Sequence, residues 1–160
     1  MAEITPGVTT EAVVGVPFSE ASHLLGAETI LLVEDEAFVR NVTGEVLQSA
    51  GYRLVIAASA GEALEAQRRC PKPVDLLLSD VVLPGKSGHE LAHEFEGVCP
   101  RAQILLMSGY EEQLAQCELS SNGRLYLAKP FTTHTLLRRV REVLNKNAVP
   151  LGARLSSHSF

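Results

Sequence analysis

Aspartate is the scarce acid in this chain: three Asp, at positions 35, 75 and 80, stand against sixteen Glu. Glu suits solvated helix faces, whereas Asp concentrates at caps, turns and sites, so the three Asp are the first residues to place. Asp35 follows Glu34 directly behind the apolar run Ile30-Leu31-Leu32-Val33, and Asp80 closes Leu76-Leu77-Leu78-Ser79. Ser108 and Lys129 hold the same position behind Gln103 to Met107 and Leu125 to Ala128. Three clustered carboxylates repel unless a cation joins them or one is protonated. An oxygen-only set with room for water suits Mg2+ better than a soft transition metal. A lysine beside them neutralises an incoming anion, and a hydroxyl donates to one of its oxygens. Carboxylate nucleophile, divalent metal, lysine and hydroxyl are together the parts for transferring a phosphoryl group onto an aspartate. Taken singly, a strand-end Asp is most simply a turn or cap residue, and Lys-Pro and Ser-Gly are ordinary loop dipeptides. The combination carries the inference, because independent turn residues need not fit one mechanism.

The elements that must position these groups alternate along the chain. Short apolar runs predict strands at Ile30–Val33, Arg53–Ala57, Val74–Asp80, Gln103–Met107 and Leu125–Ala128. The first and third are apolar on both faces, as central strands of a parallel sheet are. Helical spacing predicts helices over Ala37–Ala50, Ser59–Arg69 (Ser59 and Glu62 at capping-box spacing) and Ser87–Gly97. A weak fourth helix ends near Asn122-Gly123, and the last runs from Thr132 to Asn147 with Leu136, Leu137, Val140, Val143 and Leu144 as its apolar face. Five strands alternating with five helices predict a one-domain, doubly wound α/β fold. In such a sheet ligands bind beyond the carboxyl ends of the strands, which is where Glu34, Asp35, Asp80, Ser108 and Lys129 fall. Asp75 lies at the opposite edge and reads as a structural turn residue. Residues 1–27 and 148–160 read as a linker and a frayed tail around a domain at 28–147.

Bulk properties exclude several classes. The chain has 160 residues, a net charge of -5 and 46% apolar residues, enough for a core but without the basic stripe of a nucleic-acid surface. Cys70, Cys99 and Cys117 are unpaired in spacing, which argues against a disulfide framework or zinc ribbon. No positive leader precedes Arg40 and no run reaches bilayer-spanning length, so a soluble, cytoplasmic protein without a membrane partner is expected.

These motifs resemble the receiver domain of two-component signalling, a flavodoxin-like (βα)5 module with strand order 2-1-3-4-5. Ile30 to Glu36 resembles its strand-1 acidic pair, and Asp80-Val81-Val82-Leu83-Pro84-Gly85-Lys86-Ser87-Gly88 its phosphoacceptor loop. Met107-Ser108-Gly109-Tyr110 and Lys129-Pro130-Phe131 resemble its strand-4 and strand-5 motifs. The resemblance implies that Asp80 accepts a phosphoryl group from a histidine kinase or phosphotransfer protein. Asp35, Asp80 and the Val82 main-chain carbonyl would hold Mg2+, with Glu34 acting through metal-bound water. Ser108 would turn toward the phosphoryl group, Lys129 would pair with it across a cis Lys129-Pro130 bond, and Tyr126 would swing inward. The partner face would be the one formed by the fourth helix, fifth strand and last helix, with a homodimer through it left open. Val82 stands where many members carry a polar residue and position 110 is Tyr; both flank the acyl phosphate in the family, and apolar groups there imply a fairly long-lived phosphorylated state. Gly26 to Glu36 and Met107 to Tyr110 most resemble receivers fused behind kinase domains in hybrid histidine kinases. Such a module is not a turnover enzyme.

Other readings compete. His89-Glu90-Leu91-Ala92-His93 matches the H-E-x-x-H zinc-protease helix. With Leu91 and Phe95 inward, His89 and His93 are expected to face solvent, and Glu111 and Glu112 are the nearby candidates for a third ligand. A haloacid-dehalogenase-like phosphatase also uses Asp, Ser, Lys and Mg2+, but needs a D-x-D where this chain has Glu34-Asp35-Glu36. A flavodoxin proper needs a Ser/Thr/Gly phosphate loop in the same place. Only thirteen residues follow the last predicted helix, so the expected output is protein contact, phosphoryl relay or a phosphoryl sink. Arg138, Arg139 and Arg141 are expected on its solvated face.

Overall fold

In the computed structural model, which describes residues 24–109 and 125–146, five parallel strands form one sheet in the order β2-β1-β3-β4-β5. The strands are β1 (Thr29–Val33), β2 (Arg53–Ala57), β3 (Leu76–Asp80), β4 (Gln103–Ser108) and β5 (Leu125–Ala128). Helices α1 (Ala37–Ser49), α2 (Ala60–Arg69), α3 (Gly88–Val98) and α4 (Thr133–Asn145) cover the two faces. The predicted fourth helix, with Tyr110, Glu111, Glu112 and Cys117, lies outside the described residues, as do 1–23 and the tail from 147. The expected dimer face therefore lies partly outside them too.

Every residue of β1 and β3 is buried. Side chains alternate between two cores, as the period of a strand requires. Ile30, Leu32, Leu76, Leu78, Leu105 and Met107 meet Leu47 of α1 and Leu136, Leu137, Val140, Val143 and Leu144 of α4. Leu31, Leu77 and Leu106 meet Ala60 and Ala63 of α2 and Leu91 and Phe95 of α3. Each fully buried Leu contributes about 1.5–3 kcal/mol, so register errors that turn these residues outward are strongly disfavoured. Ser59 caps α2 through the Glu62 amide, while the Glu62 carboxylate reaches Ala58 N rather than closing a full capping box. The full box is at α3, where Ser87 and Glu90 exchange both hydrogen bonds. Asp75 acts as the expected turn residue: its carboxylate accepts from Thr29 N at 2.8 Å and ties the starts of β1 and β3.

Leu24, ahead of the expected domain start, is buried in the core with Ile30 and Leu32 of β1. Gly26 donates to Ala50 O, and a Cβ there would stand 2.2 Å from the Tyr52 ring. A Cβ on Gly51, which ends α1 at φ 97°, would stand 2.4 Å from Gly26 O. Arg141 of α4 completes the joint: its guanidinium takes both Glu28 carboxylate oxygens (2.5 and 3.1 Å), the Tyr52 hydroxyl and Leu25 O. The expectation of a solvated arginine face thus holds for Arg138, whereas Arg141 is largely buried and Arg139 donates to Tyr126 O. Among the described residues no helix is long and apolar enough to cross a membrane.

Candidate functional site

The strand register brings the scarce residues to one edge. Val33 pairs with Ser79, so Glu34 and Asp80 emerge from the sheet at the same level. Asp80 pairs with Met107 and Ser108 with Ala128, which sets Ser108 one residue further out and Lys129 one beyond that. Glu34 is 1% exposed and Asp80 9%, while Asp35 turns to solvent. One carboxylate oxygen from each of these three lies within 4.8 Å of the others. The Lys129 ammonium sits between Glu34 Oε2 at 2.6 Å and Asp80 Oδ2 at 2.9 Å. The second oxygens are also held, Glu34 Oε1 by Glu36 N and Asp80 Oδ1 by Val82 N, both at 3.2 Å. Ser108 is buried at the end of β4, its carbonyl accepting from Lys129 N, and the Lys129-Pro130 bond is cis.

Electrostatics follow from this burial. Desolvation pushes the Glu34 carboxyl above its ordinary value, and the Asp80 charge adds to it, against the pull of Lys129 and the Glu36 amide. Burial alone would lower the Lys129 ammonium, but Glu34 and Asp80 more than reverse this and leave it raised. The lysine is thus a fixed cation. Three carboxylates and one ammonium leave a formal charge of about -2, which a single divalent cation would neutralise.

Several contributors were hidden in the sequence. Arg40 of α1 donates to Glu34 O at 2.9 Å and Asp35 O at 3.2 Å, fixing the acidic turn by its main chain. Ser79, fully buried, donates to Asp80 O. Gly88 is required by contact: a Cβ there would lie 2.1 Å from Asp80 O. Its amide donates to Val81 O at 2.8 Å, so the loop after Asp80 closes tightly onto the start of α3. Phe38, 74% exposed, lines with Val39, Val42, Thr43, Lys129, Pro130 and Phe131 an apolar groove of about 550 Å3 at this edge.

The H-E-x-x-H residues are engaged otherwise. The Glu90 carboxylate accepts from Ser87 N in the capping box. His93 faces solvent, but His89 does not: it is half-buried, its ring 5.9 Å from that of Tyr126. Leu91 and Phe95 alone misplace the buried stripe, because Gly88 and Ala92 widen it and leave His89 only about 60° beyond Ala92. Among the described residues, Glu34, Asp35 and Asp80 are the one group of three or more potential ligands disposed around a common point. Neither the zinc nor the phosphatase reading gains support.

A parallel 2-1-3-4-5 sheet with its polar groups at the carboxyl edge defines a flavodoxin-like doubly wound domain of the CheY-like kind. The chain belongs to the response regulator receiver domain family, which it matches over residues 30–141. It is thus a receiver domain of the two-component type found in response regulators and hybrid kinases. It is 38% identical over 128 residues to the sensor kinase CckA of Brucella abortus, covering 79% of this chain and 14% of that kinase. The receiver domain of the hybrid histidine kinase CckA superposes with a TM-score of 0.62 at 36% identity, over 72% of this chain and 98% of that one. A CheY-like receiver from Methanospirillum hungatei gives 0.66 at 28% identity, over 76% and 96%. The chain spans about half the length of two transcriptional regulatory proteins that it also matches, from Bacillus subtilis and Mycobacterium tuberculosis.

Proposed function

We propose that this receiver takes a phosphoryl group onto Asp80 from a histidine kinase or histidine phosphotransfer protein in the cytoplasm, and signals by protein contact or relay. The observation that carries this reading is the Lys129 ammonium bridging Glu34 and Asp80 beside Asp35. An Asp80 carboxylate oxygen forms the new O–P bond as the donor's P–N bond breaks and its imidazole leaves. Lys129, already at 2.9 Å, pairs with the arriving phosphoryl oxygens, and Ser108 donates to one of them. The residual charge, the all-oxygen donor set and the approach of the carboxylate oxygens to within 4.8 Å of one another fit Mg2+ held by Asp35, Asp80 and the Val82 carbonyl, with Glu34 supporting. Bound there, the metal would offset phosphoryl and carboxylate charge. Val82, two residues after Asp80 and 58% exposed, would place an apolar side chain by the acyl phosphate and hinder attacking water, giving a long-lived phosphorylated state. Tyr126 is the switch that reports the modified state. Since only Asp80 itself is modified, the domain turns over no external substrate.

The donor must reach Asp80 across the carboxyl edge, and the groove of Phe38, Val42, Pro130 and Phe131 lies on that path. An amphipathic donor helix resting there would bury these side chains. The test is uptake of phosphoryl from acetyl phosphate with Mg2+, with p-nitrophenyl phosphate hydrolysis measured in parallel. Uptake lost in Asp80→Asn and no hydrolysis are expected, whereas steady hydrolysis would favour a phosphatase.

A further inference from the structure

We infer that His89 is a positioning residue for Tyr126 and joins it to Asp80 by a route that bypasses Ser108. The inference rests on Asp80 as phosphoacceptor and Tyr126 as switch. The route is short and has no slack. Gly88 packs so tightly on the Asp80 main chain that no Cβ fits, and its amide holds Val81 O at 2.8 Å. The next residue is His89, in the first turn of α3, so a shift of the Asp80–Val81 main chain moves the imidazole with the helix start. That imidazole lies against the Tyr126 ring, with centroids 5.9 Å apart and planes tilted by 52°, inside the range of attractive ring pairs. Tyr126 itself is half-buried at the margin of the core that α3 covers. The other route runs through β4 and β5, where Leu106 pairs with Tyr126 and Ser108 with Ala128. The ring is therefore held from two sides, by its own sheet and by the helix that follows the acceptor loop. A ring contact of this kind biases a two-position ring by about 3- to 10-fold.

The test uses the full chain with 13C-labelled tyrosine rings, the Tyr126 signals being assigned with Tyr126→Phe. Spectra are recorded with Mg2+ and increasing beryllofluoride, an acyl-phosphate mimic. In the wild type the Tyr126 ring signals move to a new position. In His89→Ala the metal-only position changes and the beryllofluoride response shrinks or shifts its midpoint at least about threefold, while His89→Phe, which keeps a ring, restores both. A response of unchanged size and midpoint in His89→Ala, or no rescue by His89→Phe, overturns the positioning role alone. A wild-type Tyr126 that ignores beryllofluoride, or responds equally in Asp80→Asn, overturns the switch reading and this inference with it.

Discussion

Replacing Gly88 by alanine tests how tightly the acceptor loop is built. The added Cβ would stand 2.1 Å from Asp80 O and 2.9 Å from both Asp80 C and Val81 Cα, where real Cβ contacts are essentially never below 3.0 Å. All three neighbours are main chain, so no side chain can rotate aside, and the α3 start and the loop must part by roughly 1 Å. Overpacking of this kind costs about 1–3 kcal/mol, only partly offset by the better helix propensity of alanine. A displacement of roughly 1 Å at a reacting group can slow its chemistry by ~10²-fold, so phosphoryl uptake from acetyl phosphate should fall by about 10- to 100-fold. Gly97, in the same helix, supplies the control, since a Cβ there meets nothing within 4 Å. Gly97→Ala should be neutral or up to about 1 kcal/mol more stable, with normal uptake. Urea titration followed by circular dichroism gives the stabilities, and a phosphoprotein gel at timed intervals gives the rates. If Gly88→Ala equals the wild type in both, or Gly97→Ala is equally harmful, the close-approach argument is wrong.

Three further outcomes follow from the geometry. Arg141→Met should cost about 1–3 kcal/mol at neutral pH in urea melts, since it leaves Glu28, Tyr52 and Leu25 O without their shared donor. The Arg141 hydrogen bond holds the Glu28 carboxyl below its ordinary value of 4.5. Its contribution is therefore present above that value and lost as pH falls through the depressed one, so wild type and Arg141→Met should converge on acidification. Phe38→Ala should slow phosphotransfer from a cognate kinase by about 10-fold and leave uptake from acetyl phosphate unchanged, because Phe38 lies in the groove and outside the carboxylate cluster.

The strand ends were legible in the sequence because each charged or hydroxyl residue followed a buried apolar run, which fixed its edge before any register was known. Glu34, Asp35, Asp80, Ser108 and Lys129 were found this way. Long-range partners left no such trace: Glu28 and Arg141 are 113 residues apart, and nothing in a basic helix face marks which arginines turn inward. Gly88 reads as an ordinary helix-start glycine until the Asp80 carbonyl is placed against it. His89 was misplaced by counting large side chains only, since Ala92 and Gly88 also face the sheet. Leu24 lay in a segment without period, where a single buried residue gives no pattern. In each case the missing information was tertiary contact.

The central claim is that Asp80 carries the phosphoryl group. The most direct test incubates the full chain with acetyl phosphate and Mg2+, reduces it with borohydride, and locates the reduced residue by peptide mass spectrometry. Homoserine at position 80, absent with a metal chelator or after Asp80→Asn, is the predicted result. Reduction at any other acidic residue, or unchanged uptake in Asp80→Asn, would contradict the account.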